Sequence, residues 1–342
     1  MHFQFLSTVN NMLILFLFVF LRLTNGLNLS SDHINCVFYK TYDDYEIIKA
    51  TTPEKILEKS NPSLRTMFFI PGVNASIHEK NFKPILQSYI RSKRYNVIHF
   101  DSCYYTCGER SPALKNEILF WLGELYGSII SKLINLGLRL DSIELIGHSY
   151  GTSLATLTAN NTVPKLPLLV GLDPSESFHF EKGYADYTIA LHTNMGMVGG
   201  VYYNQSDSDL IANNGMIQVK CSDEYNVDYN KALELSKQSY KEQTILKNMA
   251  WCSHMTALEY WGCMVEYPEL FYGVKCNTSD CNDHNIVQLG PKLRTPGIFH
   301  FITGDTPPFG MGLEGVKNVT PLNIHLMNEY NVFWKNYNKL NG

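Results

Sequence analysis

A five-residue turn constrains this chain more than any other feature: Gly147-His148-Ser149-Tyr150-Gly151, between a strand-like run at 142–146 and a helix-like run at 152–160. The pattern G-x-S-x-G gains meaning from that strand–turn–helix context. A serine there sits on a sharp turn whose strained backbone leaves little room for side chains on either side, and glycine at both flanks relieves the crowding. The hydroxyl is then exposed above the edge of the sheet, with a helix N-terminus behind it. The pentapeptide alone arises by chance in roughly one chain in ten of this length, so the surrounding pattern has to support it.

That pattern is a β/α alternation. Residues 66–70 (TMFFI) form an apolar run stopped by Pro71-Gly72, which reads as a buried strand. Residues 79–92 read as helix and 96–100 (NVIHF) as strand. Ile118, Leu119, Leu122, Leu125, Ile129 and Leu133 recur at helical spacing within 116–138. Residues 142–146, 167–172, 187–191 and 298–302 are further strand candidates. Alternation through 66–191 predicts a mostly parallel sheet covered by helices. At 45% hydrophobic and 18% charged, the 342 residues can bury a large core and are not a disordered chain. The length allows one large domain or two. A net charge of -4 excludes a global basic field for nucleic acid.

The first residues suggest the compartment. Residues 12–21 (MLILFLFVFL) are an unbroken apolar run, too short for the about 20 residues that a spanning helix needs. They suit the core of a signal peptide occupying 1–26, although no Lys or Arg precedes the run. No second long apolar run follows, so a secreted, extracellular mature chain without a transmembrane segment is expected. Six Asn-x-Ser/Thr sequons, at Asn28, Asn74, Asn160, Asn204, Asn277 and Asn318, fit that expectation. In an oxidising compartment the eight cysteines should form bridges.

A nucleophilic serine needs a base, and the base an orienting carboxylate. Asp173 follows the next strand, in Gly171-Leu172-Asp173-Pro174, and so falls on the same rim as Ser149. Asp-Pro is also an ordinary turn dipeptide. Six histidines lie beyond it: His179, His192, His254, His284, His300 and His325. His254 stands beside Cys252 and His192 ends a strand candidate; spacing does not choose between them. His300 lies within a strand-like run and reads as packed in the sheet.

In order along the chain, Phe69-Ile70-Pro71-Gly72-Val73, Asn96-Val97-Ile98, Ile146-Gly147-His148-Ser149-Tyr150-Gly151, Gly171-Leu172-Asp173-Pro174, His192-Thr193-Asn194 and Cys252-Ser253-His254 resemble the pancreatic lipase family, including its insect neutral lipases and secreted phospholipases A1. The resemblance covers about residues 60 to 310. It implies an α/β-hydrolase fold, with a mostly parallel central sheet flanked by helices, as one domain over 27–342. It also implies a triad of Ser149, Asp173 and His254, leaving His192 outside it. The implied oxyanion hole is the backbone N-H groups of Val73 and Tyr150. The chain departs from the family at Pro71, Thr152, Ser153 and Ser102, where His, Ala, His and Trp are usual.

The same resemblance makes 222–251 a lid closed by a Cys221–Cys252 disulfide. Its middle is expected to be helical, with Ala232, Leu235, Tyr240, Ile245 and Met249 as apolar contacts. Cys36 is expected to pair with Cys103 or Cys107, and two of Cys263, Cys276 and Cys281 with each other. Cys276 and Cys281 near His284 also suggest zinc, but a bridge suits a secreted chain better. The resemblance ends near residue 310, so the C-terminal β-sandwich of larger members and a colipase-type partner are not expected. No cofactor or metal is implied. The expected activity is hydrolysis of lipid carboxylic esters at a lipid–water interface, triacylglycerol lipase-like on the length of the lid. The alternatives are a phospholipase A1 and a non-catalytic lipid-binding or yolk-type relative. Intact Ser149, Asp173 and His254 speak against the non-catalytic reading.

Overall fold

Short apolar runs become the centre of one large sheet. Its strands are β1 (Asn35–Tyr39), β2 (Tyr45–Lys49), β3 (Arg65–Ile70), β4 (Tyr95–Asp101), β5 (Ile143–His148), β6 (Leu169–Leu172), β7 (Thr188–His192), β8 (Ser208–Ala212), β9 (Tyr272–Cys276), β10 (Cys281–Gln288) and β11 (Gly297–Phe301). They lie in the order β10-β9-β11-β8-β7-β6-β5-β3-β4-β1-β2. From β4 across to β11 each neighbouring pair is parallel. The edges, β1 with β2 and β9 with β10, are antiparallel. This computed structural model describes residues 29–341 apart from 78, 110–111, 176–179, 229–230 and 278–279. The expected signal peptide 1–26, Asn28, His179, Tyr229 and the side chain of His284 thus lie outside the described residues. Contacts divide the chain into Met1–Ser31 and Asp32–Gly342, and the fold is that of the second unit.

Strands buried on both faces read as continuous apolar runs, and β3 is the example. Met67 and Phe69 belong to a core that includes Ile85 and Tyr89 of α1 (Lys83–Arg91). On the opposite face Phe68 stacks on Phe100 at 5.5 Å, and Phe100 on Tyr126 of α2 (Pro112–Asn135) at 4.1 Å. α2 packs against α3 (Tyr150–Asn160). Ala257, Leu258 and Trp261 of α4 (Tyr240–Glu266) complete the first core. The C-terminal helix α5 (Ile324–Asn341) joins a second cluster described below. Helices on a mostly parallel sheet, with a serine turn after β5, are the α/β-hydrolase fold.

The apolar runs do not mark β8. It opens with Ser208 and Asp209, both buried, so its polar start reads as loop. The expected pairing of Cys36 with Cys103 or Cys107 needs correction. Cys103 pairs with Cys107, and Cys36 is free and buried in β1. One helical turn, Cys103–Thr106, brings positions i and i+4 to a Cα separation of 4.8 Å, within bridging range, so no long-range partner is needed. Two of Cys263, Cys276 and Cys281 do pair with each other, as expected: Cys276 bonds Cys281 across the β9–β10 turn, and Cys263 is free and buried. Among the described residues no cluster of His, Cys, Asp and Glu has a metal-holding arrangement.

Candidate active site

The parallel strands deliver their C-terminal ends to one rim. Ser149 follows β5 and caps the start of α3, with φ 56° and ψ -129°. Such a backbone costs a non-glycine residue about 1–3 kcal/mol and persists only where its surroundings enforce it. Gly151 is one enforcer, because a Cβ there would overlap the carbonyls of Ile70 and Pro71. Gly72 crosses directly beside the serine: a Cβ on it would lie 3.2 Å from Ser149 Cβ. This close approach brings the backbone at Val73 to the serine. The N-H of Tyr150 opens α3, where no carbonyl four residues back can accept it.

Asp173 follows β6, also at positive φ (42°), and is buried. Its Oδ1 accepts the N-H groups of Thr193 and Asn194, each at 2.8 Å. Its Oδ2 lies 2.6 Å from Nδ1 of His254. The loop after β7 thus clamps the carboxylate. Asn194 ties that loop down, donating to the Met216 carbonyl and accepting from the N-H of Val198. Gly199 approaches from the other side, where a Cβ would stand 2.6 Å from Oδ2.

His254 lies within α4 and is fully buried. Its Nε2 has no hydrogen-bond partner among the described residues, an orphaned buried atom of the kind a reacting group satisfies. His148 backs it, ring centroids 4.6 Å apart, with Nε2 3.2 Å from the His254 carbonyl. A carbonyl only accepts, so His148 Nε2 carries the proton. Burial, and then the neighbouring His254 ring, hold His148 well below the usual histidine range, so it stays neutral.

Ser149 and Asp173 thus follow neighbouring parallel strands on one rim, with Val73 and Tyr150 beside the serine turn and His254 bonded to Asp173, whereas His192 has another partner. His192 is buried and its Nε2 meets Asp209 Oδ1 at 2.7 Å. His300 is buried in β11. Sequence reasoning missed the N-H clamp on Asp173, and also Asp209, Gly199 and the His148 bond. His192-Thr193-Asn194 was visible as a motif, but nothing in it announces a backbone role.

A pocket opens beside Val73 and Tyr150, floored by Ile118, Leu119, Leu122 and Leu154. Asn74 is at its rim, exposed, with Oδ1 accepting the N-H of Gly108. Cys221 and Cys252 are bonded at 2.02 Å, 31 positions apart. Between them lies a 3-10 turn, Ala232–Lys237, and then the first half of α4. The helix does not end with the loop but runs on through His254 to Glu266. Ala232, Leu233, Leu246 and Met249 enter a core with Met327 and Tyr330 of α5. Tyr240, expected as an apolar contact, is 64% exposed and stacks on Tyr337. Trp251 is exposed, its ring 5.8 Å from that of His254.

A mostly parallel sheet flanked by helices, with a serine elbow after β5, gives the chain the α/β-hydrolase fold. Its sequence is similar to that of lipases. It is 22% identical over 282 residues to pancreatic lipase-related protein 2 of Mus musculus, covering 76% of this chain and 55% of that protein. It is 26% identical over 179 residues to mouse phospholipase A1 member A, covering 50% and 39%. To mouse pancreatic triacylglycerol lipase it is 23% identical over 218 residues, covering 54% and 45%. The chain spans about half the length of these curated relatives. No family model matches it. Among solved structures it resembles MGS-M1, an alpha/beta hydrolase enzyme from a deep-sea metagenome library, at 23% identity over 40% of this chain and 58% of that one (TM-score 0.25). It also resembles the Pyrococcus furiosus esterase Pf2001, at 17% identity over 44% and 55% (TM-score 0.25).

Proposed function

We propose that the chain is a secreted hydrolase of lipid carboxylic esters, working as a single catalytic domain with a lid at 222–251. The observation that carries the reading is the buried 2.6 Å bond from His254 to Asp173 on the rim where Ser149 holds its strained turn. His254 Nε2 takes the proton of the Ser149 hydroxyl as its oxygen attacks the ester carbonyl. Asp173 keeps the imidazole in the tautomer that can accept, and stabilises the imidazolium. The oxyanion is received by the N-H groups of Val73 and Tyr150, each contributing about 2.7–4 kcal/mol. The alcohol leaves with the proton from His254, and water then releases the acid from the acyl-enzyme.

Similarity to lipases and phospholipases supports a lipid substrate. The 30-residue lid favours neutral glycerides, and the 26% identity to phospholipase A1 member A favours the second reading, a phospholipase A1. Three disulfides, and exposure of all five sequon asparagines among the described residues, support secretion. No helix among the described residues is long and apolar enough to cross a membrane. A fluorophosphonate probe tests the mechanism: it should label the purified protein and not Ser149→Ala. Labelling that survives the substitution overturns it. Triglyceride and phospholipid substrates assayed side by side decide between the two readings.

A further inference from the structure

The rim opposite Ser149 holds a charge pattern that ester hydrolysis does not use. β3 and β4 begin there, with Arg65 and Tyr95. The buried Glu144 of β5 accepts Arg65 Nε at 2.9 Å, the Tyr95 hydroxyl at 3.0 Å and the Tyr89 hydroxyl at 3.1 Å, so its carboxylate is fully engaged. Next to this network is a pocket of about 310 Å³, at the lower end of ligand-site volumes. Met264, Val265, Val287, Leu289 and Leu293 give it an apolar wall. Arg94, Lys292 and Arg294 bring three cations to it, and no aspartate or glutamate is among its described lining residues.

Both guanidiniums are fixed by carbonyls; Arg294 also lies in the field of Glu144, whose carboxylate is itself bonded to Arg65, Tyr95 and Tyr89. Arg94 donates through Nη2 to the Val265 carbonyl. Arg294 donates through Nη1 to the carbonyls of Pro291 (2.9 Å) and Leu293 (2.6 Å), and lies 5.2 Å over the Tyr187 ring. Neither makes an ion pair among the described residues, although the chain as a whole is acidic at -4. Held by carbonyls, the planar forks keep further N-H groups for a carboxylate, which guanidinium matches in a bidentate manner. Three cations lining one pocket favour an anion, and the apolar wall favours one that carries a tail.

We propose that this pocket binds a long-chain fatty acid, its carboxylate on Arg94 and Arg294 and its chain along the apolar wall. The inference rests on the proposed hydrolysis only for the source of that acid, since binding itself needs no catalysis. It would give the product a place on the opposite rim from the serine.

The test is calorimetric titration of the purified full chain, in both wild type and Ser149→Ala, with laurate. Dodecyltrimethylammonium serves as the tail control, and acetate and phosphate as head controls. Laurate alone should bind, equally in both proteins, and Arg94→Gln with Arg294→Gln should weaken it about tenfold or more. Laurate should also slow amide exchange at 264–268 and 287–295 in the wild type. That measurement decides the matter even if the double variant fails to fold. Unchanged laurate affinity in a folded double variant, protection confined to 73–154, or equal binding of phosphate overturns the proposal. Failure of the fluorophosphonate experiment would leave these outcomes readable, because none depends on turnover.

Discussion

Replacing Asp173 with Asn changes one atom and should silence the proposed hydrolysis through the hydrogen-bond geometry around it. Oδ1 receives two backbone N-H groups at 2.8 Å and Oδ2 faces His254 Nδ1 at 2.6 Å. An amide has one accepting end. Turning its NH2 towards Thr193 and Asn194 would oppose two fixed donors and orphan both, at about 1–3 kcal/mol each. The amide oxygen therefore stays with the loop, and the NH2 points at His254. Nδ1 must then accept, which leaves the imidazole proton on Nε2, where the Ser149 proton has to go. The expected loss in kcat is on the order of 10⁴, the size seen when a serine-hydrolase histidine is held in the wrong tautomer. That is about 5.4 kcal/mol of barrier at 1.36 per tenfold. Steady-state hydrolysis of a soluble nitrophenyl ester gives kcat and KM, and the rate of fluorophosphonate labelling reports the same step without turnover. KM and the melting temperature should barely move, because size and packing are conserved. A kcat within tenfold of wild type would refute the assignment of Asp173.

Gly199→Ala would put a Cβ 2.6 Å from Asp173 Oδ2, so the carboxylate must shift, and kcat should fall about 10- to 100-fold at unchanged KM; full activity would mean the clamp is looser than drawn. Breaking the Cys221–Cys252 bridge by a double serine substitution should cost about 3–4 kcal/mol in urea unfolding, from a loop of 31 positions. Burial pushes His99 and His300 down to about 4, whereas the unfolded chain titrates near 6.5. Between those values the unfolded state binds more protons, so stability present above pH 6.5 drains away towards pH 4, by about 1.4 kcal/mol per unit for each histidine. His99 lies between Phe69 and Phe82 with both ring nitrogens unpartnered among the described residues. His99→Phe should flatten that slope by one proton without loss at pH 7, and an unchanged slope would contradict its neutral burial.

The elbow was legible because backbone sterics dictate it: only glycine fits where Gly151 meets the carbonyls of Ile70 and Pro71. Asp173 was legible for a similar reason, being the first residue past the neighbouring strand. His254 was not legible from spacing. It lies mid-helix, on an element that periodicity would assign to packing, and reaches Asp173 across 81 positions only through the tertiary fold. Resemblance to lipases singled it out where pattern could not. The clamp by Thr193 and Asn194 was invisible because backbone N-H groups carry no sequence signature. Cys36 was expected to reach across the fold because sequence does not show the single helical turn at Cys103–Thr106 that lets Cys103 and Cys107 bond each other.

One element, α4, carries both the end of the proposed lid and the proposed base, and this constrains how such a lid could open. Cys252, bonded to Cys221, precedes His254 by two residues, about 3 Å along the axis. Asp173 holds the His254 ring and His148 its carbonyl, so the helix cannot swing as a rod without dismantling the site. Movement has to be confined to the part before Cys252. Releasing that part from the second core would expose Leu246 and Met249, both fully buried, at about 1.5–3 kcal/mol each. In water this would keep the proposed lid shut; a lipid surface would offer the same side chains another apolar contact and offset the cost. Leu246→Ala should therefore weaken closure by about 2–5 kcal/mol and raise the rate on dissolved monomeric esters, while the rate on emulsions changes little. If both rates stay at wild-type values in a folded variant, residues 222–251 are a fixed part of the scaffold, and access to Ser149 is set elsewhere.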